Sequence, residues 1–275
     1  MRLVVAQRPE VRRLPRARRK SLAGQCVLLL LGLQLMFFSS FVGLTLPTPT
    51  GKNLQNFARE QAIAVLDCVP ARWRVAAGDY WPNVPYPTKP VRYTTYTPQA
   101  PAAILLGYIL GWPLATVGAG LFLLIGTAGP FFGINPLAAG GGPDYCLQPT
   151  FGYLLGLIAA TAVVGMITRE RTSIRQILGW LAGVATIHAL GLVYLLASSL
   201  IFNLFEHAPR WIPWVFEEAR NLSWYQIPYD LLFSILLIGV AFPLRQLVAL
   251  LVAPDIALKS KNDIIVQQRI EELLG

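Results

Sequence analysis

The sequence is short of charge. Only 13% of its 275 residues are Asp, Glu, Lys or Arg, against roughly 25% in an average soluble domain. Three stretches carry none at all: between Arg92 and Asp144, between Arg175 and Glu206, and between Asp230 and Arg245. About 20 apolar residues already cross a bilayer, so runs of this length exclude a soluble chain and identify an integral membrane protein. Histidine is scarcer still, with two residues, His188 and His207. The three cysteines, Cys26, Cys68 and Cys146, have no metal-ligand spacing. Little is left for an enzyme, because the intramembrane ionisable candidates are His188 and Asp230. One histidine and one carboxylate, with no second histidine or Asp-rich motif, make a poor catalytic set. Gly51-Lys52-Asn53 lacks the glycine spacing and the Ser/Thr of a phosphate loop, so any ATP chemistry would come from partners.

What is abundant is apolar helix, and the chain reads as an all-α integral membrane protein with six transmembrane spans. They are Cys26–Leu46, Pro101–Trp112, Leu114–Pro130, Thr150–Thr168, Gln176–Phe202 and Pro228–Val252. The second and third are parted by Gly111-Trp112-Pro113; the alternative is one long kinked helix over 101–130. Residues 1–24 form a basic arm, 25–253 the six-helix membrane domain and 254–275 a charged tail in which Asn262 caps an amphipathic turn. Fifteen of the 23 Lys and Arg fall on the side shared by the N-terminus, the 169–175 loop and the C-terminus. Positive charge favours the cytoplasm, which predicts a multi-pass plasma-membrane protein with both termini inside. The arginine run 12–19 directly precedes a span, so it reads as a topology signal rather than a nucleic-acid contact. The apolar run after it is longer than a signal-peptide core and is read as a retained span. Outer loops 1, 3 and 5 are long and aromatic. Loop 1 (47–99) carries an amphipathic pattern, Leu54, Phe57, Ala58, Ile63, Val65 and Leu66, that suits an interfacial helix. Cys68 and Cys146 share the outer side, where pairing is conceivable in an oxidising compartment; three unrelated thiols is the preferred reading.

The stretch Gly140-Gly141-Gly142-Pro143-Asp144-Tyr145-Cys146-Leu147-Gln148-Pro149-Thr150-Phe151-Gly152-Tyr153 concentrates flexible backbone and polar groups between apolar segments. In membrane proteins such backbone is tolerated where it is buried in protein or lines a cavity. Together with Val91–Gln99, Ala103–Gly111, Leu121–Gly126 and Ile227-Pro228-Tyr229-Asp230-Leu231-Leu232, this stretch resembles the BioY family of biotin transporters, substrate-binding S components of energy-coupling-factor (ECF) importers. The resemblance covers about residues 90–250. It implies a six-helix protein that captures biotin from the outer face and works with a transmembrane coupling protein and ATPase subunits, with no cofactor of its own. Departures are present. Asp144, Gln148 and Phe151 stand at glycine-like positions, Phe233 occupies a position where the family often has lysine, and the insertion at about 48–90 is long.

Biotin offers two ureido N–H donors and one carbonyl, an apolar ring and a carboxylate tail. Asp230 is the leading acceptor, because an ionisable residue in an apolar span is functional by default; the competing reading is a helix cap after Pro228. Tyr145, Gln148 and Tyr153 offer an aromatic wall and an amide, although interfacial tyrosines are common. Gln99 matches a family glutamine before the second span. His188 either faces the pocket or satisfies a neighbouring helix. For the carboxylate, Arg92, Arg210 and the backbone N–H groups of Gly141 and Gly142 are the candidates. The alternatives are an S component for another vitamin and a structural or assembly subunit.

Overall fold

A computed structural model describes residues 22–87, 89–134, 137, 141–169, 172–206 and 211–252, with backbone alone for 173, 205–206 and 244–252. Nine α-helices are found there: α1 (Leu22–Phe41), α2 (Gly51–Asp67), α3 (Ala71–Ala77), α4 (Gln99–Leu110), α5 (Trp112–Ala128), α6 (Phe151–Ile167), α7 (Ser173–Glu206), α8 (Trp211–Ala219) and α9 (Ile227–Val252). Four segments are long and apolar enough to cross a membrane: Leu22–Phe41, Trp112–Phe132, Ile174–Leu204 and Trp211–Pro243. Helices α4 and α6 are apolar but shorter. At about 1.5 Å per residue, the 12 residues of α4 cover roughly 18 Å of a hydrocarbon core about 30 Å thick.

Two expectations are corrected. The first span ends at Phe41 rather than Leu46, and the chain is not all-α. Leu44–Pro47 is an extended strand, β1, paired antiparallel with β2 (Tyr93–Tyr96) in the register Leu44↔Tyr96 to Pro47↔Tyr93. Threonine and tyrosine favour the pleated conformation, and Pro47 has no N–H with which to extend a helix. The break at Gly111-Trp112-Pro113 separates α4 from α5, with Gly111 at φ +78°, so 101–130 is two helices. Within the long connection between α1 and α4, α2 runs through the anticipated amphipathic segment. Asn53 moors it: its amide donates to Thr48 O (2.9 Å) and Arg92 O (2.8 Å) and accepts from the Arg92 N–H. The arm 1–21 and the tail 253–275 lie outside the described residues; residues 22–24 open α1.

The core lies where α4, α5, α6, α7 and α9 meet, around Ala103, Ile104, Tyr108, Phe122, Leu157, Val164 and Ile187. Glycine sets the closest approach. A Cβ on Gly156 would stand 2.8 Å from Ile187 Cα, and one on Gly107 would stand 2.7 Å from Thr161 O. Small residues at such crossings let transmembrane backbones pack directly. The Gly156 contact also brings Tyr153 of α6 and His188 of α7 to one level.

Candidate functional site: a polar cavity lined by Asp230

At the β2 end of the helices lies a cavity of about 310 Å³. Ser40 contributes from α1, Thr95, Thr97, Gln99 and Ala100 from β2 and the start of α4, and Tyr145 and Thr150 from the third connection. Leu137, which lies ahead of α6, Tyr153, Leu154 and Leu157 of α6, Ile187 and His188 of α7, then Leu222, Gln226 and Asp230 complete the wall.

Its polar centre is one hydrogen-bonded chain drawn from five places in the sequence. The Tyr96 hydroxyl donates to Asp230 Oδ1 at 2.7 Å, and His188 Nε2 lies 2.9 Å from Asp230 Oδ2. On its other side His188 Nδ1 meets Ser223 Oγ at 3.1 Å, and Ser223 Oγ meets the Tyr153 hydroxyl at 2.7 Å. With Nε2–H donating to the carboxylate, Ser223 Oγ bridges the other ring nitrogen and the Tyr153 hydroxyl. Every member then has a partner, as buried polar groups require. Asp230, His188 and Ser223 are each at most 5% exposed. The aromatic ring of Tyr96 stacks on Phe233 (centroids 5.2 Å, 16°) and tilts against Tyr229. Burial pushes the Tyr96 phenol up, and the Asp230 charge and their hydrogen bond push it further, so Tyr96 stays a donor. Thr150 Oγ1 is buried without a partner among the described residues, in a residue that lines the cavity.

Five anticipated residues therefore converge here: Asp230, His188, Tyr145, Tyr153 and Gln99. The helix-cap reading of Asp230 is set aside, because its oxygens reach Tyr96 and His188 while its own N–H bonds to the O of Gln226, the residue just before α9. Both readings of His188 hold at once, since it joins α7 to α9 and lines the cavity. The remaining candidates stand elsewhere. Arg92 is exposed, with its backbone held by Asn53, and Gln148 is exposed; neither lines the cavity. Gly141 and Gly142 pack on the end of α5: the Gly142 N–H donates to Gly126 O at 3.3 Å, and a Cβ on Gly141 would stand 2.5 Å from that oxygen. Gly140, His207 and Arg210 lie outside the described residues. Cys68 and Cys146 are free thiols. Tyr96, Ser223 and Gln226 escaped the sequence reading. Tyr96 had one signal, an aromatic residue in an extended threonine-rich segment leading into an apolar helix; Ser223 had none.

The BioY family model matches residues 74–250, well over half of the chain. A protein described as "Probable biotin transporter BioY" from Lysinibacillus sphaericus is 34% identical over 110 residues, 38% of this chain and 54% of that protein. The "Biotin transporter BioY" of Thermotoga maritima is 30% identical over 117 residues, 42% of this chain and 64% of that protein. The matched stretch thus spans between half and two thirds of the curated relatives. A crystal structure of the S-component for biotin from an ECF-type ABC transporter aligns with a TM-score of 0.45 and 15% identity, over 82% of this chain and 94% of that one. By the family match over residues 74–250, this chain belongs to the BioY family.

Proposed function

We propose that this chain is the membrane-embedded, biotin-binding S component of an ECF-type vitamin importer, and that the cavity around Asp230 is its binding site. The observation that carries the reading is Asp230 itself: a buried carboxylate, fixed by a tyrosine and a histidine, on the wall of a cavity. At about 310 Å³, the cavity is at the small end of the roughly 300–1,000 Å³ typical of small-molecule sites. A ureido head offers two N–H donors. Asp230 receives one or both on the lone pairs that Tyr96 and His188 leave, and Thr150 Oγ1 donates to the ureido carbonyl. Leu154, Leu157, Ile187 and Leu222 bury the thioether ring. The tail carboxylate takes O–H and N–H donors from Thr97, Gln99 and Gln226. Binding is by hydrogen bonds and apolar burial, without covalent chemistry.

In this reading α1, α4, α5, α6, α7 and α9 are six spans in the plasma membrane, with both termini cytoplasmic. A coupling transmembrane protein and ATPase subunits drive release inward. A second reading, an S component for a different vitamin, draws support from Phe233, which stacks on Tyr96 where the family often places a cation. Titration of biotin, dethiobiotin and thiamine into the purified protein in detergent, read by calorimetry, tests both. Selective biotin binding is expected. Thiamine binding without biotin binding would transfer the site to the second reading, and a folded protein that binds none of the three would refute the biotin assignment and leave another vitamin or a structural role.

A further inference from the structure

A second, larger hollow of about 710 Å³ lies on the outside of the same wall. Leu192 of α7, Pro213, Phe216, Glu217 and Ala219 of α8, Arg220, Ser223 and Trp224 of the π-helical turn, and Ile227 of α9 line it. Its floor is Ser223, whose hydroxyl joins the Tyr153–His188 chain of the inner cavity. Its α7 and α9 walls belong to candidate spans that carry exposed apolar side chains, Val193 and Leu196 on α7 and Leu232, Ile235 and Leu236 on α9. At its rim are two opposite charges, Arg220 and Glu217, 3.8 Å apart and both more than half exposed. Arg220 also lies over the ring of Tyr225, 5.9 Å from its centroid. Phe216 and Trp224 are exposed beside them, as aromatic side chains are at the headgroup level of a bilayer.

We propose that this hollow is a binding site for a single phospholipid with a primary-amine zwitterionic headgroup, of the phosphatidylethanolamine type. One acyl chain lies against Leu192, Phe216 and Ile227. The phosphate meets the Arg220 guanidinium, whose planar fork suits phosphate oxygens, and the ammonium meets the Glu217 carboxylate. An anionic lipid would satisfy Arg220 but face Glu217 unpaired. A choline headgroup carries its charge without an N–H for Glu217 to accept. The exposed Glu217–Arg220 pair opens readily, because an ion pair at this exposure is worth little. The proposal depends on α7 and α9 standing in a bilayer, not on the identity of the inner cavity's ligand.

The test uses the full chain, delipidated in detergent and titrated with phosphatidylethanolamine, phosphatidylglycerol or phosphatidylcholine, with retained lipid counted by native mass spectrometry. One ethanolamine lipid per chain should be retained, at about fivefold preference over the glycerol lipid, near the upper limit for an exposed ion pair. Ala219→Trp, which fills the hollow, should remove it. Glu217→Gln, a mild surface change that leaves the fold intact, should erase the preference while keeping the lipid. Equal retention of all three lipids, or a preference unchanged by Glu217→Gln, would overturn the headgroup assignment. Retention unchanged by a folded Ala219→Trp would overturn the site.

Discussion

Replacing Asp230 tests both its structural role and the ligand-binding role proposed for it. In the free protein its oxygens accept from the Tyr96 hydroxyl at 2.7 Å and from His188 Nε2 at 2.9 Å. Both donors are buried, so Asp230→Ala leaves two of them without partners. Each stranded buried donor costs about 1–3 kcal/mol, which predicts roughly 2–6 kcal/mol of destabilisation if no water enters the gap. The same carboxylate is proposed to accept ureido N–H groups, and its loss should weaken biotin binding by about 1–3 kcal/mol, roughly 5- to 150-fold. Asp230→Asn keeps the shape and one acceptor, so it should fold more stably than the alanine variant while still losing affinity. Thermal unfolding in detergent reads the first effect and calorimetric titration of biotin the second. A folded Asp230→Asn with unchanged biotin affinity would refute the assignment and leave Asp230 as a structural tie between β2, α7 and α9.

Tyr96→Phe retains the stack on Phe233 but removes one donor to Asp230, and should reduce biotin affinity by about 2- to 13-fold, a modest loss because Tyr96 acts on the ligand only through the orientation of Asp230; an affinity equal to wild type in the same titration would show that Tyr96 does not orient the carboxylate. Gly156→Ala places a Cβ 2.8 Å from Ile187 Cα and should destabilise the α6–α7 pair by about 1–3 kcal/mol, read as a lowered Tm; an unchanged Tm would contradict the close crossing. Arg92→Ala and Gln148→Ala, whose side chains are exposed and off the cavity wall, should each change biotin affinity by less than about twofold, within the usual scatter of surface substitutions; a tenfold loss from either would mean that the outer loops close over the ligand.

The parts of the site that the sequence revealed are those with a local signature. Asp230 and His188 stand out because each interrupts a long uncharged run. Tyr145 and Tyr153 stand out because they flank a glycine-rich, helix-breaking segment, and Gln99 was found through the family resemblance. Gly141 and Gly142 stand out for backbone freedom, and in the structure that freedom serves a close approach to Gly126 O. Arg92, just before β2, and Gln148, just after the Pro143–Leu147 turn, are both exposed and off the cavity wall. Ser223 was passed over because a single serine in an aromatic connection has no periodic or charge signal.

The sequence by itself determined that this is a membrane protein, where its apolar helices run and that Gly111-Trp112-Pro113 divides two of them. Charge depletion, hydropathy and helix breaking are properties of a short window and need no knowledge of the rest of the chain. Only the tertiary structure decided that Leu44–Pro47 leaves the first helix to pair with Tyr93–Tyr96, and that Asp230 closes a hydrogen-bonded chain with residues 134 and 42 positions away. Those partners depend on how each helix is rotated about its axis and how closely Gly156 lets α6 approach α7. Such rotations are set by packing between distant segments, which no local window contains.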